Sequence, residues 1–138
     1  MSRRYNTAAL SDGQGGWWVY LVPAPTVWGV WPLGADARFR VSGDGRRVLE
    51  TRRLHRQVIE FNAASGGPAG ARVEVGTHTH VLSDEVEDTD VFSVMTRDPR
   101  VPEFIVTDRW VFRVDSDGQA SCLGSRAAVL HERGAGKD

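Results

Sequence analysis

The sequence predicts an all-β domain: a single antiparallel meander of about seven to nine short strands, forming a sandwich or a partly open barrel. Three observations lead there. Between Glu103 and Leu123 two runs, Phe104-Ile105-Val106 and Trp110-Val111-Phe112 with Val114, are β-branched or aromatic, the residue types that suit a pleated, half-buried surface. Asp-Gly pairs at 44–45 and 117–118 each follow a Phe-Arg-Val run and an intervening pair of residues, a strong hairpin pattern for which a type I′ turn is expected. Ala37, Phe39 and Val41 alternate with Arg38, Arg40 and Ser42, as a strand with one buried face requires.

Taken in order, residues 1–16 are polar and Gly-rich and read as a flexible arm, and 17–123 as the β domain. Trp17 to Val22 and Val27 to Trp31 are apolar runs bounded by Pro23, Pro25 and Pro32, which suits strand ends or an edge. Four of the five tryptophans lie here; they are expected to cap one end of the fold, the alternative being an exposed aromatic surface. The strand Ala37–Val41 turns at Gly43-Asp44-Gly45 into Arg46–Leu54, whose blurred alternation suggests a bulge or an edge. Gln57–Asn62 is a short strand, and 63–71, with Gly66-Gly67-Pro68, a flexible connection. From Arg72 to Leu82 a strand places Glu74, His78, His80 and Leu82 on one face. Ser83–Asp90 is an acidic loop, Val91–Thr96 a strand and Arg97–Arg100 a turn into the final hairpin. Residues 124–138 form a partly disordered tail with a short helix over Arg126–Arg133.

Composition excludes several classes. The 138 residues supply one sizeable core and no second. No apolar run approaches the roughly 20 residues of a spanning helix, so no membrane association is expected. A net charge of −1 gives no global attraction to nucleic acid. The single cysteine, Cys122, excludes an internal disulfide; it is expected to be a buried structural thiol in a reducing compartment. With no signal-peptide h-region at the start, the cytoplasm is the expected location.

The segments Phe39-Arg40-Val41 to Arg46, Thr79-His80-Val81-Leu82, Asp90-Val91-Phe92 and the Asp117-Gly118 hairpin resemble a group of small β-rich bacterial proteins of uncharacterised function. The resemblance spans about residues 17–123 and implies a fold, with no chemistry and no site residues.

Chemistry-bearing residues are few. His78 and His80, two apart on a strand, point both imidazoles to one side, as paired zinc ligands do. Local sequence fixes no third ligand, and partly buried or exposed strand-face histidines are the competing expectation. Asp84, Glu85, Glu87, Asp88 and Asp90 crowd seven positions without the order of an EF-hand. Arg38, Arg40, Arg46, Arg47, Arg52, Arg53 and Arg56 face only Asp44 and Glu50 in their segment, a patch able to grip phosphates or to pair with the acidic loop. No nucleophile elbow, phosphate loop or Cys-x-x-Cys pair is present. The expected function is therefore non-enzymatic: an interaction protein, of inhibitor or immunity type, meeting a possibly basic protein partner through the acidic loop and Trp28 and Trp31, with no cofactor. The alternatives are a metal-binding domain using His78 and His80, and a nucleic-acid binder using the Arg38–Arg56 strands.

Overall fold

The two Asp-Gly hairpins form where their residues dictate, with a different turn. Gly45 (φ 72°) and Gly118 (φ 89°) occupy the left-handed region, whereas neither Asp44 nor Asp117 has a positive φ. Gly118 N donates to Asp115 O at 2.8 Å, and Asp115 N to Gln119 O at 2.8 Å. That is a type I turn closed by a left-handed glycine, not the expected type I′. The first hairpin has the same Gly N–H contact, to Ser42 O, and is closed from Ser42 N to Arg47 O.

The computed structural model describes residues 4–62 and 72–134; the expected flexible connection at 63–71, the first three residues and the last four lie outside them. The fold is all-β, 45% strand and 13% helix, a sandwich of sheets with no closed barrel. Ten strands appear among the described residues: β1 (Tyr5–Ser11), β2 (Trp17–Pro23), β3 (Val30–Gly34), β4 (Ala37–Val41), β5 (Val48–Arg53), β6 (Val58–Asn62), β7 (Gly76–Thr79), β8 (Glu103–Val106), β9 (Trp110–Val114) and β10 (Ala120–Ser125). Helix α1 (Asp88–Thr96) separates β7 from β8, and α2 (Arg126–Gly134) follows β10. One sheet has the order β1-β2-β4-β5, a second β10-β9-β8-β7, and β3 pairs with β6 alone. No helix among the described residues is long and apolar enough to cross a membrane.

Four expectations need correction. The N-terminal arm contains β1, whose Tyr5–Ser11 pairs in register with Ser11↔Trp17 to Tyr5↔Pro23. Val91–Thr96 is helical: Val91 and Val94 lie three apart on the face that meets the core, and the β-branched run does not override it. The third concerns pairing, for β7 and β8 run parallel, His78 opposite Ile105. A parallel pair needs a crossover, and the segment carrying α1 supplies it. Finally, Cys122 is exposed on the edge strand β10.

The apolar core is small. Val94, Ile105 and Val114 are fully buried, with Val86, Val91 and Phe112 packed around them. Among the described residues eleven polar or charged residues are buried against seven apolar ones. Buried polar groups must be paired to be tolerated, so the interior of this protein is decided by what those groups do to one another.

Candidate metal centre

Four short segments deliver the site. At the corner between β3 and β4, Gly34 (φ 91°) and Ala35 (φ 49°) both turn left-handed, and Asp36 follows, 2% exposed. A side chain at Gly34 would collide with the Gln57 carbonyl, so only glycine allows this corner. Leu54 N donates to Asp36 O at 3.1 Å, which sets the next residue, His55, beside Asp36. In β7 the two-residue spacing puts His78 and His80 on one side, and His80 N extends the ladder to Val106 O at 2.9 Å.

Asp90 comes from the first turn of α1. Glu87 is the N-cap, and the helix begins with a capping box in which Glu87 N donates to Asp90 Oδ2 at 2.7 Å. That bond fixes the carboxylate and leaves Oδ1 facing the histidines.

The imidazoles meet at Nε2. His55 Nε2 lies 2.8 Å from His80 Nε2, and His78 Nε2 lies 3.1 Å from it. Asp90 Oδ1 is 3.0 Å from His55 Nε2 and 3.2 Å from His78 Nε2, and Oδ2 is 3.2 Å from His80 Nε2. All four ligand atoms fall within 4.8 Å of one another. Behind each ring stands an acceptor for Nδ1: Asp36 Oδ1 at 2.7 Å for His55, Glu103 Oε1 at 2.9 Å for His78, and the Glu85 carbonyl at 2.8 Å for His80. Carbonyl and carboxylate oxygens accept only, so every Nδ1 carries a proton, and each ring, once its Nε2 is deprotonated, turns that lone pair inward.

Glu103 is held in turn by Arg97, 2% exposed, whose Nη1 donates to Glu103 Oε2 at 2.6 Å and Nη2 to Val101 O at 2.7 Å. Gly76, opposite Glu103 in the ladder, makes room for that carboxylate; a Cβ there would collide with it.

The field at the site is negative. Burial alone would lower the His55 pKa, yet Asp36 and Asp90 raise it to about 10. His78 is raised in the same way, by Asp90 and Glu103 against burial. Burial would raise the Asp90 carboxyl, but the three surrounding imidazoles hold it far below the usual carboxylate range. Even so, Asp90 Oδ1 is buried and accepts no well-directed hydrogen bond.

Of the residues singled out from sequence, His78, His80 and Asp90 converge here, and Glu74 remains exposed outside the cluster. Three of the other acids meet this chain's own cations. Asp84 accepts from Arg109 Nε at 2.7 Å, which lowers its pKa, and the buried Glu87 pairs with Arg52 at 2.7 Å. Asp88 accepts from Tyr20 Oη at 2.6 Å and Arg38 at 3.1 Å. Glu85 contributes its carbonyl to His80 while its side chain is exposed. Arg40 pairs with Asp12 at 2.9 Å, so Arg38, Arg40 and Arg52 of the clustered arginines form ion pairs within the fold. Trp31 Nε1 donates to Asp98 O at 3.2 Å, and Trp28 is 95% exposed.

Sequence reasoning did not find His55, Asp36, Glu103 and Arg97. The one available sign was His55 directly after Leu54, a polar ring next to a core residue at a strand end. No protein-family model, curated protein or solved structure matches the chain.

Proposed function

We propose that this protein is a metal-binding domain in which His55, His78, His80 and Asp90 hold one divalent transition-metal ion, with zinc the ion expected. The observation that carries this is the inward convergence of three Nε2 atoms whose Nδ1 protons are all committed elsewhere. Asp36, Asp90 and Glu103 hold His55 and His78 toward the protonated form when no ion is present, and a dication would take the place of those Nε2 protons, with three lone pairs and a carboxylate oxygen already gathered within 4.8 Å of one another. A tetrahedral zinc ion with bonds of about 2.0–2.1 Å separates its ligands by about 3.3 Å, so the pairs now at 2.8–3.2 Å would open slightly and the widest in the 4.8 Å cluster would close. Of the buried carboxylates Asp36, Asp90 and Glu103, Glu103 pairs with the buried guanidinium of Arg97, and once the imidazoles are neutral the other two leave two negative charges for a dication to balance. Acceptors behind each imidazole are what zinc-binding histidines ordinarily have.

Elemental analysis of protein purified without chelator tests this. One zinc ion per chain is expected, absent from His80→Ala and Asp90→Ala and retained in Cys122→Ser and His131→Ala. Folded protein that retains no metal after zinc addition and desalting would overturn the proposal.

A second role, contact with a protein partner, draws support from the turn before β3, where Val27 and Trp28 are 61% and 95% exposed. A partner captured by the wild type and lost with Trp28→Ser is its expected outcome; equal capture by both counts against it.

A further inference from the structure

We propose that the metal centre is open on its His55–His78 side and takes a carboxylate with an aliphatic chain as an exchangeable ligand; this rests on the metal assignment above. A cleft of about 440 Å³ between β6 and β7 is lined by His55 and His78 but by neither His80 nor Asp90. Side-chain exposure divides the same way: 7% and 5% for His55 and His78, against 1% and 0% for His80 and Asp90. The cleft thus places the approach to the ion at the His55–His78 edge of its ligand set. Zinc held by three protein ligands keeps a position for a fourth, exchangeable one, whereas four protein ligands close the site, so entry here takes either a fifth position or the yielding of one protein ligand at the reachable edge.

The cleft also selects what enters. Among the described residues, Arg56, next to the ligand His55, is the single Lys or Arg lining it, and no acid lines it. The buried carboxylates Asp36 and Glu103 sit behind the rings, at the Nδ1 atoms, where an entering molecule does not meet them. An occupant would therefore face a dication and a guanidinium, which favours an anion. The rest of the wall is uncharged and includes Leu33, Ile59 and Val81, the latter two 44% and 66% exposed. Exposed aliphatic groups in a concave site suit a hydrocarbon chain and offer nothing to a fully hydrated tetrahedral oxyanion. A carboxylate oxygen bonds to the ion, its partner oxygen is placed for Arg56, and the chain lies along the aliphatic wall. Coordination is reversible and changes no oxidation state.

The test uses the full chain loaded with cobalt(II), whose visible bands report coordination number. Metal content is measured first, so that failure to bind cobalt is seen as failure of the metal assignment itself. Hexanoate, acetate and inorganic phosphate are then titrated separately. Hexanoate is expected to shift the bands saturably and to bind at least about tenfold tighter than acetate, since each buried methylene is worth up to about fourfold. Arg56→Ala is expected to weaken hexanoate several-fold with cobalt content unchanged. A stoichiometric cobalt protein whose spectrum ignores hexanoate would show the ion closed and overturn the proposal. Equal affinity for acetate and hexanoate, or tighter binding of phosphate, would overturn the assigned ligand class.

Discussion

Removing the ion should weaken the fold, and should weaken it more as pH rises. With free zinc about a thousandfold above its dissociation constant, binding to the native state alone adds about 4 kcal/mol. For a chain of this size that corresponds to a fall in melting temperature of roughly 12–16 °C on chelation. The pH dependence follows from the site. In the chelated chain the His55 pKa lies at about 10, above its ordinary 6.5, because Asp36 and Asp90 outweigh burial. A raised histidine stabilises fully below its unfolded value and loses that contribution as pH climbs through the folded one, so the chelated protein weakens between those limits. The ion competes with protons for the same Nε2 atoms, so its affinity rises over the same range. Melts followed by calorimetry in excess zinc and in chelator, at about pH 6, 7.5 and 9, should therefore diverge progressively. Coincident melting at all three, or a gap that narrows as pH rises, would refute the reasoning.

Asp36→Asn keeps the shape of the His55 partner and removes its charge; zinc affinity should fall about 10–100-fold in competition with a chromophoric chelator. Arg97→Ala leaves Glu103 buried without its cation, and urea unfolding should show a loss of about 3–5 kcal/mol. Gly45→Val and Gly118→Val should each cost about 1 kcal/mol or more through positive φ. Gly118→Val should cost the more of the two, because its Cβ would also press on Met95 Sδ at 2.7 Å, whereas nothing lies within 4 Å at Gly45; melting temperatures compare them.

Strands were legible where a single segment contains its own instruction. The alternation of Ala37–Val41 and the β-branched runs of 104–106 and 110–114 became β4, β8 and β9. Helix α1 was misread because Asp-Val-Phe-Ser-Val-Met has strand-like residues, while its true signs were the Glu87–Asp90 capping box and the apolar spacing of three. The candidate metal centre was half visible. His78 and His80 share a side because any strand puts i and i+2 together, and their spacing announces it. His55 and Asp36 reach them through the corner at Gly34-Ala35 and the docking of one sheet on another, which no local pattern encodes. Asp90 was in view but hidden by its neighbours: four of the five acids in that run have other roles, and only the fold separates the ligand from them.

The double duty of Asp90 has a consequence for how the chain reaches its native state. Asp90 Oδ2 caps the backbone that starts α1 while both oxygens lie against the histidines, so under the proposed assignment the helix and the ion would nucleate each other. Under the proposed metal assignment the ion would work as a staple in a chain whose lone cysteine cannot form an internal one. His55 and His80 stand 25 residues apart, and tying a loop of that length withdraws about 3.5 kcal/mol of disorder from the unfolded chain in the entropic view of cross-links. A protein with so few buried apolar side chains has a reason to depend on that staple, and its folding yield in a cell would track the supply of metal during synthesis.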